Sequence, residues 1–66
     1  MTTVLIVEDN AEIRAGLKRS LAERGYDVKT SATGLGGLSI IVDDHPDVVL
    51  LDLGLPDIDG VDLLRM

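Results

Sequence analysis

Three carboxylates stand where a chain has reason not to leave them bare. Glu8 and Asp9 follow directly on Val4-Leu5-Ile6-Val7, and Asp52 follows directly on Val48-Val49-Leu50-Leu51. Each apolar run is short, continuous and bounded by turn signals, the pattern of a strand buried on both faces. An ionised carboxylate at the rim of a buried sheet is costly to desolvate, so it calls for a metal ion, a cationic partner or chemistry. In open α/β sheets, ligands bind beyond the carboxyl ends of the strands. If these two strands are neighbours, Glu8, Asp9 and Asp52 crowd one crevice and repel one another. A hard divalent cation, Mg²⁺ or Mn²⁺, would relieve that repulsion with oxygen ligands. The carbonyl of Gly54 is a further neutral donor. An isolated Glu-Asp pair more often only solvates a loop and favours a helix N-terminus. The joint spacing outweighs that reading: an acidic pair after one run, a lone Asp after a later one, then Gly and Leu-Pro.

The elements that must position these groups are legible in order. The first strand, Val4 to Val7, ends at Glu8-Asp9-Asn10. Asn10 is a good helix N-cap, with Glu12 in the first turn to meet the dipole. Ala11 to Arg24 reads as an amphipathic helix with Ile13, Leu17 and Leu21 on one face. Gly16 and Ser20, one turn apart, suggest close approach to a sheet, and Gly25 is a natural residue to end the helix. Tyr26 to Ser31 alternates, as a strand with one solvent face does. Leu35 to Asp44 has helical spacing at Leu38, Ile41 and Val42, although Ile40-Ile41-Val42 would suit a strand by propensity. Helix is favoured because parallel strands need a crossover, and Pro46 then stops it. Asp47 to Leu51 is the third strand, Gly54 to Asp59 a loop, and Gly60 to Met66 the start of a third helix. The order strand-helix-strand-helix-strand is an α/β pattern with a parallel sheet. The strand order that brings the carboxylates together is 2-1-3, the beginning of a flavodoxin-like sheet with helices on both faces.

The bulk numbers narrow the function. The chain has 66 residues, near the lower limit for an unstapled domain. It has no cysteine and one histidine, which removes disulfide frameworks and Cys- or His-rich metal sites. The lack of cysteine fits a reducing, cytoplasmic location. Twelve acidic residues against six basic ones give a net charge of −6, which argues against nucleic-acid or anionic-membrane contact by this segment. No apolar run approaches the ~20 residues of a membrane span.

Rival motifs fail. Asp57-Ile58-Asp59-Gly60 looks like a phosphatase Asp-x-Asp-Gly, but Gly54-Leu55-Pro56 cannot be the strand before it. It misses the calcium-loop template as well, because Leu55 would take the first ligand position. Gly34-Leu35-Gly36-Gly37 lacks the last spacing of a dinucleotide fingerprint. His45 has no second His or Cys near it in sequence. Tyr26 reads as packing on the core or the sheet edge.

With these residues in place the chain resembles the first half of a bacterial two-component response-regulator receiver domain. The resemblance is carried by Val4-Leu5-Ile6-Val7-Glu8-Asp9-Asn10 and by Leu51-Asp52-Leu53-Gly54-Leu55-Pro56-Asp57-Ile58-Asp59-Gly60. Gly25-Tyr26 and His45-Pro46-Asp47 also fit. It implies that Asp52 is the phosphoacceptor and Asp9 a direct Mg²⁺ ligand. Glu8 would act mainly through metal-bound water, and Gly54 would give its backbone carbonyl. It implies a sensor histidine kinase as partner, phosphotransfer governed by positioning and charge neutralisation, and control of transcription through a separate DNA-binding domain.

The departures generate expectations of their own. A complete receiver has about 110 to 125 residues, within the ordinary range of domain size. Residues 1–66 thus correspond to an N-terminal half, without the family's strands 4 and 5 and helices 4 and 5. The hydroxyl residue after strand 4 and the lysine after strand 5 have no counterpart here, and Lys18 and Lys29 do not match that lysine's position. The usual Met before the loop proline is Leu55. Such a half-domain is expected to transfer phosphate poorly. It is also expected to self-associate as a homo-oligomer through the open edge of its third strand.

Overall fold

A computed structural model describes residues 1–51. The elements run β1 Thr3–Val7, α1 Ala11–Glu23, β2 Asp27–Ser31, α2 Gly34–Asp44 and β3 Val48–Leu51. The three strands form one parallel sheet in the order β2-β1-β3. This is the strand order expected from the sequence, and it makes β1 the central strand. β1 can hold that place because Val4, Leu5, Ile6 and Val7 are apolar on both faces and all are at most 4% exposed. Leu5 and Val7 lie under Ile40 and Ile41 of α2, with Val49 and Leu51 of β3 beside them. Ile6 shares the other side of the sheet with Leu17 of α1 and Leu50 of β3. The helices therefore cover opposite faces, one layer each.

Local chemistry sets the ends of the elements. Asn10 caps α1, accepting at Oδ1 from the N–H groups of Glu12 and Ile13 at 2.9 and 3.0 Å. Arg24, read from the sequence as the last helical residue, is instead the C-cap. Gly25 follows at φ 90°, a backbone that glycine adopts without a Cβ penalty. α2 starts one residue before the sequence suggests, at Gly34, because Thr33 Oγ1 accepts from the Gly36 N–H at 3.0 Å and caps the helix. It ends at His45, which is left-handed at φ 49° and donates its N–H to the Ile41 carbonyl at 3.1 Å. The ambiguous Ile40-Ile41-Val42 is thus helical. β2 starts at Asp27, after Tyr26, whose N–H turns back to the Leu21 carbonyl at 3.2 Å. Tyr26 is 40% exposed just before the outer strand β2, which excludes the core and leaves the sheet edge of the two expectations.

At the foot of the sheet, Asp47 grips Thr3 twice. The Thr3 N–H donates to Asp47 Oδ2 at 2.8 Å, and the Asp47 N–H donates to the Thr3 carbonyl at 2.9 Å. Above this clasp, Val4 to Val7 register with Val48 to Leu51.

Three packing expectations are corrected. β3 is not buried on both faces: Val48 and Leu50 are 44% and 39% exposed, while Val49 and Leu51 face α2. On the same side, Ile13 and Leu17 stay 50% and 37% exposed, and α1 buries no residue fully. α1 lies mainly along β2 and β1, and on its side of the sheet a groove between Leu17, Ile6 and Leu50 is left open. Finally, Gly16 gives no close approach, since a Cβ there would meet nothing within 4 Å. The close approach is at Gly37 of α2, where a Cβ would stand 2.7 Å from Val7 Cγ2.

These two glycines should respond oppositely to alanine. Gly16→Ala should raise stability by up to about 1 kcal/mol through helix propensity. Gly37→Ala should lower it, because overpacking costs about 1–3 kcal/mol against a similar propensity gain of about 1 kcal/mol. Urea midpoints of the two variants would check both signs.

Candidate functional site

β1 delivers Glu8 and Asp9 to the C-terminal edge of the sheet. The Glu8 N–H continues the ladder, donating to the Ser31 carbonyl at 3.0 Å. The ladder then stops: the Thr33 N–H turns to Ser31 Oγ at 3.3 Å, and Ser31 Oγ donates to the Thr33 carbonyl at 2.8 Å. The Glu8 carbonyl receives Nη1 of Arg14 at 2.8 Å. Glu8 Oε2 accepts from the Asn10 N–H at 3.2 Å, which folds the side chain over its own loop. Glu8 is half-buried and Asp9 exposed. Asn10, which follows them, caps α1, so the loop is short and held at both ends.

The two carboxylates are hard oxygen donors on adjacent residues at the rim of a buried strand, and Asp9 is open to solvent. That donor chemistry fits Mg²⁺ or Mn²⁺ as part of a shell completed by other oxygens. Asp52 and Gly54, the other expected donors, lie outside the described residues. Among the described residues, no group of three or more His, Cys, Asp or Glu is gathered for a metal. What is seen is the approach to such a group. Leu51, which precedes Asp52 in sequence, registers with Val7, which precedes Glu8. A groove lined by Ile6, Val7, Glu8, Leu17, Leu50 and Leu51 opens beside the site.

The residue that sequence reasoning missed is Arg14. Lying off the Ile13-Leu17-Leu21 face, it reads from the sequence as a solvent-side charge of α1, yet it and Leu21 are the only residues of that helix that are not exposed. The one available signal was its position a turn beyond the N-cap, close enough to return to the strand end. His45 lies at the C-terminus of α2 and takes no part in the site.

A parallel sheet in the order 2-1-3, with helices on both faces and an acidic pair closing its central strand, is the first part of a receiver fold. The Response regulator receiver domain family matches residues 4–66, and the chain belongs to that family. It is 48% identical over 64 residues to the transcriptional regulatory protein KdpE of Mycobacterium tuberculosis, covering 97% of this chain and 28% of that protein. It is 40% identical over 65 residues to the transcriptional regulatory protein AfsQ1 of Streptomyces coelicolor, covering 98% of this chain and 29% of that protein. A crystal structure of a receiver domain protein from Methanospirillum hungatei superposes with a TM-score of 0.96 at 35% identity, covering 98% of this chain and 52% of that one. A chain from the complex of histidine kinase ThkA with response regulator TrrA superposes at 0.91 with 34% identity, covering 98% of this chain and 56% of that one. The chain therefore spans less than a third of these curated relatives and about half of these solved chains. Among the described residues no helix is long and apolar enough to cross a membrane.

The cap that fixes the acidic loop can be tested separately from its chemistry. Asn10→Ala should cost about 1 kcal/mol, and Asn10→Asp should retain most of that. Thermal unfolding followed by circular dichroism would check the order wild type, Asp, Ala.

Proposed function

We propose that Asp52 is the phosphoacceptor of a cytoplasmic two-component response regulator, charged by a sensor histidine kinase. The observation that carries this reading is the acidic pair Glu8-Asp9 closing the central strand, with Leu51 in register beside Val7. In the proposed reaction a carboxylate oxygen of Asp52 attacks the phosphorus of a phosphohistidine. The P–N bond breaks, the imidazole leaves with its electron pair, and an acyl phosphate forms on Asp52. Glu8, Asp9, Asp52 and the Gly54 carbonyl would hold Mg²⁺ or Mn²⁺, which when bound neutralises charge on the phosphoryl oxygens. The chain's own part is to bring carboxylates to one edge and keep their loop short. The family does not behave as a conventional enzyme; the parent protein would assist its own phosphorylation and dephosphorylation. Relatives named as transcriptional regulators support an output through a separate DNA-binding domain, consistent with the net charge of −6 on this segment. The ThkA–TrrA complex supports a histidine kinase as partner.

Intact-mass measurement of the full-length protein with a small phosphodonor and Mg²⁺ should show one added phosphoryl group. Asp52→Asn should abolish the addition, and a variant that still gained it would remove Asp52 from the role.

A second reading concerns the 66 residues as a molecule in their own right: a phosphotransfer-incompetent half-domain that pairs with copies of itself. Among the described residues β3 pairs with β1 alone, and Val48 and Leu50 are exposed on it. An open apolar edge of this kind invites strand pairing. Sedimentation of the 66-residue chain at micromolar concentration should show a dimer or larger species. A folded monomer would contradict it.

A further inference from the structure

We propose that Arg14 is a positioning residue for the acidic site, a role that rests on the receiver reading above. The Glu8 carbonyl belongs to the peptide unit that joins Glu8 to Asp9, so whatever fixes that carbonyl fixes the plane from which both side chains depart. In a parallel ladder the next donor for this carbonyl would come from β2, two residues beyond Ser31. That residue is Thr33, and its N–H is diverted to Ser31 Oγ. Arg14 Nη1, at 2.8 Å, supplies the donor the ladder no longer offers. The helix that carries Arg14 is itself anchored on the same loop, since the Arg14 N–H donates to the Asn10 carbonyl at 2.9 Å. Arg14 thus closes a ring from strand end to loop to first helical turn and back to the strand end. Its half-burial on an otherwise exposed stretch of α1 is the trace of that contact.

Geometry and charge make opposite demands here, which renders the role testable. A guanidinium bonded to the backbone carbonyl between Glu8 and Asp9 would repel a cation bound to that loop, so its removal on electrostatic grounds alone would tighten divalent-ion binding. Removal of a positioning contact weakens it, as loss of outer-shell partners generally does.

The test is Mn²⁺ binding to the full-length protein, followed by the paramagnetic resonance of free Mn²⁺, with the urea midpoint measured alongside. Arg14→Met keeps the aliphatic stem and should weaken Mn²⁺ binding about tenfold, a loss a purely scaffolding residue would not cause at an unchanged midpoint. Arg14→Lys keeps the charge but not the planar fork and should fall between wild type and Arg14→Met. Should Arg14→Met fail to fold, Arg14→Lys decides by the same criterion. Unchanged or tighter binding in the folded variant overturns the proposal while leaving the receiver reading standing. Wild-type protein that binds no Mn²⁺, or that binds it undiminished after Asp9→Asn, overturns the receiver site and this proposal with it.

Discussion

The structure depends on one strand being apolar on both faces and hydrogen-bonded on both edges. β1 pairs with β2 on one side and β3 on the other, and four consecutive side chains are removed from water. At roughly 1.5–3 kcal/mol for each buried Val, Leu or Ile, this short run supplies the largest concentrated hydrophobic contribution among the described residues. The same burial dictates where polar groups can resume. Glu8 is the first residue past the end of the strand, and the chain becomes charged as soon as it leaves the sheet. The acidic site is in this sense a consequence of the core as much as an addition to it.

The two helices contribute unequally. α2 presses its backbone onto β1 at Gly37 and covers Leu5 and Val7 with Ile40 and Ile41. α1 buries little and instead contributes its N-terminal turn, where Asn10 and Arg14 hold the acidic loop from both sides. One helix makes core and the other makes site. That division accounts for Ile13 and Leu17 remaining exposed on a helix whose sequence looks amphipathic.

Much of this was legible in the sequence because the governing interactions are local. The cap at Asn10, the stop at His45-Pro46 and the continuous run Val4 to Val7 announce the elements, and the requirement for crossovers decides the ambiguous Ile40-Ile41-Val42. Strand order followed from asking which neighbours would bring the carboxylates together. Three features were not legible, since each depends on how elements meet. Gly16 and Gly37 look alike in a helical pattern, and only the face turned to Val7 distinguishes them. The burial of β3 depends on what packs against its two faces, which the run Val48 to Leu51 does not specify. Arg14 reads as a solvent charge until the ladder is seen to run out at Ser31. The roles of Asp52 and Gly54 rest on family likeness and on the register of the residues before Asp52.

The clasp between Thr3 and Asp47 sits at the end of the sheet farthest from the acidic loop, yet it has a bearing on that loop. It sets the zero mark from which two strands are counted. Glu8 lies as many residues beyond Thr3 as Asp52 lies beyond Asp47, so a pairing fixed at the foot is carried upward, one residue at a time, along Val4 to Val7 and Val48 to Leu51. A strand in this protein works as a ruler. Adding or deleting one residue between Asp47 and Asp52 would leave the composition of the site intact, yet it would shift the count and turn each following side chain to the opposite face.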